Sequence, residues 1–144
     1  MEEQNYSNHR RYVPLYHGVL FGILILTFVG SVVNLFESWG DHERIYSASL
    51  ILVLDVCCLM LFFFCRIFAL KAQDRAIRAE ENLRHFVITG KLLDPGLSIR
   101  QIIALRFASD AEFVPLAQRA AAENMTPDAI KLAVQHWRAD TYRV

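Results

Sequence analysis

Asp55 raises the first chemical question in this sequence. It lies near the middle of an otherwise apolar run, residues 45–65, IYSASLILVLDVCCLMLFFFC. An ionised carboxylate deep in a hydrocarbon layer costs several kcal/mol unless it is paired or protonated, so such residues mark an ion path or a polar contact inside a bundle. If residues 45–65 turn back against an earlier apolar run, Thr27 falls at similar depth. Its hydroxyl can hydrogen-bond a carboxyl but cannot neutralise a charge. No Lys or Arg lies within either run. Three roles follow for Asp55: a polar contact to another membrane subunit, binding and release of a proton or cation, or a local bond to backbone or Thr27.

Other chemistry-bearing residues are fewer. Gly18, Gly22 and Gly30 recur along the first apolar run, with Ser31 and Asn34 following. A Gly-x-x-x-Gly spacing lets helix backbones approach closely, which predicts a packing face within a hairpin or toward another helix. Cys57, Cys58 and Cys65 have no activating base nearby in the sequence and read as small apolar residues. His9 and His17 lack a facing axial ligand for haem, Met60 being nearest in depth, so His17 reads as an interfacial hydrogen-bonding residue. There is no Ser or Cys with a recognisable base, no Gly-rich phosphate loop and no metal-ligand spacing. The expectation is a protein that is not an enzyme, takes no cofactor or metal, and shows no evident small-molecule substrate.

The elements that must position these residues are legible in the composition. Of 144 residues, 54% are hydrophobic, and 15 basic residues balance 15 acidic ones. That balance removes the basic footprint a nucleic-acid partner requires. Residues 13–36 carry no Lys, Arg, Asp or Glu. A bilayer core of about 30 Å needs about 20 helical residues, so residues 13–36 and 45–65 each suffice as a span. Residues 37–44 are too few for anything but an antiparallel hairpin. This loop holds one basic residue, Arg44, whereas Arg10 and Arg11 precede the first span and Arg66, Lys71, Arg75 and Arg78 follow the second. Positive flanks stay on the cytoplasmic side, so both termini are expected there and the loop in the periplasm. Tyr12, Tyr16, Trp39 and Tyr46, with Arg10, Arg11 and Arg66, sit where interfacial anchors belong.

No Gly or Pro interrupts residues 41–89. The second span therefore runs on into a polar cytoplasmic helix, residues 66–90, that stops at Gly90. Asp74/Arg78 and Glu80/Arg84 offer i,i+4 pairs on it, and Leu70, Ile77, Leu83 and Val87 form a sparse apolar stripe. Residues 91–144 predict a small unit of three short helices. Ser98 with Gln101 and Ser109 with Glu112 read as capping boxes, and Thr126 caps a helix opened by Pro127. Its core is expected from Ile102, Phe113, Leu116, Ile130, Val134 and Trp137. A core this small is marginal alone, so it must lean on the preceding helix, the membrane surface or another chain. Lys131, Gln135, His136 and Arg138 on the last helix suggest a DNA-reading helix-turn-helix, but Asp128 and Asp140 flank them and ordinary helix packing is the commoner use of such residues.

The runs QNYSNHRRYVPLYH (residues 4–17) and LRFASDAEFVPLAQRAAAEN with TPDAIKLAVQHWRAD (residues 105–140) resemble a family of small bacterial membrane proteins of unknown function. The resemblance covers nearly the whole chain. It implies a bacterial inner-membrane location and two spans with a helical tail, and it brings no assigned activity. The expected fold is all-α: a transmembrane hairpin (residues 13–36 and 45–65) behind a short N-terminal segment (1–12), a long cytoplasmic helix, and a three-helix C-terminal unit. Its expected partners are the lipid bilayer and other membrane subunits. The leading expectation is an accessory subunit of a larger membrane complex, docking through Asp55 and the Gly18/Gly22/Gly30 face. The alternatives are a homo-oligomeric proton- or sodium-conducting element using Asp55, and a membrane-tethered regulator whose tail binds a soluble protein.

Overall fold

The structure is a computed structural model that describes residues 4–9 and 11–140. The described residues are helical throughout apart from turns, extended connections and one isolated bridge between Ala108 and Trp137. A π-helical segment, Leu15–Leu20, leads into α1 (Phe21–Glu37), followed by α2 (His42–Thr89), α3 (Ile99–Leu105), α4 (Asp110–Ala122) and α5 (Pro127–Ala133). The chain divides into two compact units. One is Tyr12–Phe68, and the other combines Met1–Arg11 with Ala69–Val144.

In the first unit, α1 and α2 are joined by residues 38–41, half the length expected for the loop. The local chemistry explains the tight turn. The Ser38 hydroxyl donates to the Asn34 carbonyl at 2.7 Å, closing the end of α1. Gly40 takes φ +96°, a conformation that L side chains rarely adopt. The Asp41 carboxylate then accepts the Glu43 and Arg44 amides at 3.2 Å each, so α2 starts three residues before the expected span. Leu15–Glu37 and His42–Thr89 are both long and apolar enough to cross a membrane, and only 6% of each most apolar window is buried. A soluble core helix hides its apolar surface; these two leave theirs uncovered.

The first apolar helix opens on a π-helical turn instead of a plain α-helix. The Val13 carbonyl accepts both the Tyr16 and His17 amides, at 3.1 and 2.9 Å, while the Val13 amide donates to His17 Nδ1 at 3.1 Å. Tyr12 stacks on the His17 ring at 5.0 Å.

α2 runs unbroken to Thr89, as the absence of Gly and Pro implies, and ends with Gly90 at φ +74°. The second unit is built on its polar end. Ile102, Phe113, Leu116 and Ile130 are buried as expected, together with Leu93, Leu97, Leu105 and Phe107. The Ser98–Gln101 capping box forms, and Thr126 caps α5 through the Ala129 amide.

Two expectations here are corrected. Ser109 makes no side-chain cap, and the Glu112 carboxylate turns away to accept the Gln135 and His136 amides and to meet the His136 ring at 2.6 Å. Nor do Val134 and Trp137 complete a helical stripe with Ile130. α5 ends at Ala133, and Val134 is extended at ψ 121°. The Phe107 carbonyl accepts the Arg138 amide at 2.7 Å, and the His136 carbonyl accepts the Ser109 amide at 3.2 Å. This extended strip still delivers Val134 to the core and packs Trp137, tilted by 35°, against Phe107 at 4.8 Å. Phe113 is fully buried at the centre of the unit, so Phe113→Ala should destabilise it by about 3–5 kcal/mol, read as faster hydrogen exchange across α3 and α4 with α1 unaffected.

Candidate functional site

The polar residues of the hairpin can be placed by register. Ala48, Asp55 and Phe62 are seven residues apart on α2 and share one line along it. Ala48 is buried, and the Phe62 ring stacks on Tyr16 at 4.3 Å and meets Phe21 at 5.5 Å. On α1 the matching line is Phe21, Leu24, Phe28 and Ser31, half-buried to buried. Asp55 therefore belongs to the line that turns toward α1, and it is half-buried. Among the described residues its carboxyl makes no hydrogen bond and no ion pair.

Thr27 does not fill that role. It is exposed, and its hydroxyl donates to its own helix, to the Ile23 and Leu24 carbonyls at 3.1 Å each. The structure does not bring Thr27 and Asp55 together: Thr27 is exposed, whereas its neighbours Leu24 and Phe28 are half-buried. The glycines are also open. A Cβ added at Gly22 or Gly30 would meet nothing within 4 Å, and one at Gly18 would meet only the Tyr12 hydroxyl at 3.2 Å. The hairpin therefore does not use Gly22 and Gly30 for its own packing. Asn34 is half-buried, and its carbonyl serves the turn.

The expected interfacial anchors separate into two groups. Trp39 and Tyr46 are 76% and 68% exposed, and Tyr12 and Arg11 are also exposed. Arg66 is half-buried, and Arg10 lies outside the described residues. Tyr16 instead works inside the hairpin: its hydroxyl donates to the Phe62 carbonyl. Cys57 and Cys65 are exposed free thiols, and Cys58 is half-buried.

The second unit carries the strongest charge cluster, which sequence spacing did not reveal. Arg84 pairs with Glu81 at 3.0 Å and with Asp110 at 2.6 Å, donates to the Ala108 carbonyl at 2.8 Å, and lies 4.2 Å over the Phe113 ring. Glu81 is only 4% exposed, and Arg138 approaches it from the extended strip at 3.6 Å. The expected Glu80/Arg84 pair is thus replaced, because Glu81 and not Glu80 shares the buried line with Ile77, Arg84 and His85. His85 is buried, its Nδ1 2.7 Å from the Lys91 carbonyl. Arg106 pairs with Asp140 at 3.1 Å.

The N-terminal segment joins this unit. The His9 ring packs on Phe107 and Trp137 at 5.9 and 6.1 Å, with Nε2 3.4 Å from Lys131 Nζ, and Gln4 accepts the Asp140 amide at 2.7 Å. The unit therefore leans on α2 and on its own chain's beginning. The marginal size of the three-helix core is answered within the chain and does not by itself call for a partner. An open groove of about 400 Å³ lies between His85, Lys91, Leu93, Asp94, Leu97 and Ala117.

Removing Arg84 would leave the buried Glu81 with only the longer Arg138 contact. Arg84→Met should cost about 3 kcal/mol, with the Glu81→Gln/Arg84→Met pair losing less, measured by protection of α4 amides. Partial burial pushes the Glu112 carboxyl up, but hydrogen bonds from the His136 ring and from the His136 and Gln135 amides outweigh it and hold the pKa below its ordinary 4.5. A carboxyl depressed on folding stabilises above its ordinary pKa and stops doing so as pH falls through the folded value. Glu112→Gln should therefore lower stability near neutral pH, and the difference from wild type should vanish as pH falls below 4.5.

No curated protein and no solved structure matches this chain. The family model whose description reads "Family of unknown function (DUF6526)" matches residues 1–144, the whole length, and the chain belongs to that family.

Proposed function

We propose that the protein is a non-enzymatic accessory subunit of a larger bacterial inner-membrane complex. The observation that carries this reading is a hairpin with unfinished surfaces. Its two apolar helices are almost wholly uncovered, its Gly22 and Gly30 positions are open, and Asp55 has no hydrogen-bond or ion-pair partner among the described residues. In a bilayer, lipid tails cover the apolar faces. Lipid does not satisfy a carboxyl, and open glycines suit the close approach of another helix better than they suit acyl chains.

The distribution of basic residues supports a direction of insertion, and the packing of the two ends supports their lying on one side. The basic residues flank the spans and avoid the loop. In addition, the stretches before and after the two spans fold into one unit, with His9 against Trp137 and Gln4 bonded to the Asp140 amide. Such contacts form only if both stretches emerge on the same side, which requires an even number of crossings. Both termini are then cytoplasmic, with Trp39 and Tyr46 near the opposite interface.

The protein should resist carbonate extraction and, purified in a mild detergent, should retain foreign membrane subunits in fixed stoichiometry. Asp55→Leu should reduce that retention at least tenfold while leaving the protein in the membrane. A stable monomer, or undiminished association of the Asp55→Leu variant, would overturn the proposal. A multimer of this chain alone would favour the ion-conducting use of Asp55.

A further inference from the structure

The polar half of α2 has two unlike faces. Ile77, Glu81 and His85 are buried against the small helices. On the opposite side, Ala72, Ala76, Ala79, Leu83 and Phe86 recur at alternating steps of four and three residues, and all five are exposed. Leu83 and Phe86 are 62% and 50% exposed, and Val87 beside them is 75% exposed. The step pattern is that of the a and d positions of a left-handed coiled coil. A contiguous Leu, Phe and Val surface on a helix whose other face is already packed marks an interaction site.

We propose that this face is covered by the same face of a second copy, the two α2 helices lying parallel. The charges beside the seam select this occupant. With Ala76 and Leu83 at a, and Ala72, Ala79 and Phe86 at d, Arg75 falls at g and Glu80 at the following e. In a parallel pair, g of one helix meets that e of the other, so Arg75 of each copy faces Glu80 of its mate, twice by two-fold symmetry. Both side chains are exposed, and neither joins an ion pair among the described residues. On one helix they are five residues apart and do not face each other, so their complementarity has use only between helices. Alanine at three seam positions lets the backbones come close.

The parallel direction rests on the membrane reading above, since two copies inserted the same way send α2 out of the bilayer in the same sense. The membrane also explains why about two heptads suffice where free coiled coils show about three to four. Confinement to one bilayer supplies the effective concentration that a longer seam would otherwise provide.

The test uses the full chain in native membrane vesicles, with Cys57, Cys58 and Cys65 replaced by Ala. A single cysteine is then placed on the seam, Ala79→Cys or Leu83→Cys, or off it at exposed Arg78. Mild oxidation should give a disulfide-linked dimer at both seam positions, at least tenfold above Arg78→Cys. Arg75→Glu should reduce the dimer several-fold, and adding Glu80→Arg should restore it. Absence of the dimer in protein that stays in the membrane pellet would overturn the seam. So would equal cross-linking at Arg78, or a yield indifferent to both charge variants. Recovery of the protein in the supernatant would sink the membrane reading, while the cross-link at Ala79 would still decide the seam.

Discussion

The C-terminal unit depends on one guanidinium. From α2, Arg84 pairs with Glu81 of the same helix and reaches the start of α4 through Asp110, the α3–α4 junction through the Ala108 carbonyl, and the core through the Phe113 ring. A planar group with five donors can satisfy all of these in one place, which a lysine cannot. The exposed Asp110 end contributes little on its own. The Glu81 bond lies within α2 and orients the buried guanidinium, while the Ala108 carbonyl and the Phe113 ring set where the small helices sit along it. Around that fixed point the short helices, each below the length at which a helix is stable alone, acquire a common surface. Arg138 returns to Glu81 from the extended strip, and so the last described residues are drawn into the same network.

The hairpin is organised by a different constraint. Hydroxyls set among apolar side chains need a partner close by, and here they bond back to their own helix: Thr27 to Ile23 and Leu24, Ser31 to Phe28, Ser49 to Tyr46. Tyr16 is the polar contact given between the two helices, reaching the Phe62 carbonyl beside a stack of aromatic rings. Asp55 stands outside this pattern, on the inward line but without a partner. Taken with the exposed seam on the polar half of α2, this gives the chain two separate unfinished surfaces: a carboxyl with open glycines on the apolar helices, and a coiled-coil face on the polar one.

The helices were readable where a local rule governs them. Ser98 with Gln101, Thr126 before Pro127, and Gly90 after an unbroken run each state a helix end within four residues of sequence. The readings failed where the deciding partner was distant. Ser109 and Glu112 have capping-box spacing, yet Glu112 meets the Gln135 and His136 amides. Glu80 and Arg84 have ion-pair spacing, yet Arg84 turns to Glu81 and Asp110. In each case two geometries were open locally, and a group brought in by folding selected one.

The sequence alone determined the apolar lengths, the unbroken α2, the charge asymmetry around the apolar runs and the apolar residues of the small core, because length, periodicity and composition act residue by residue. Tertiary structure alone decided that the N-terminal segment joins the C-terminal unit through His9 and Gln4, that Glu81 is buried and Glu80 is not, and that Thr27 does not meet Asp55. These depend on which side of a helix meets which neighbour. A shift of one residue turns a side chain by about 100° around a helix with 3.6 residues per turn, and only the packed neighbour fixes that angle.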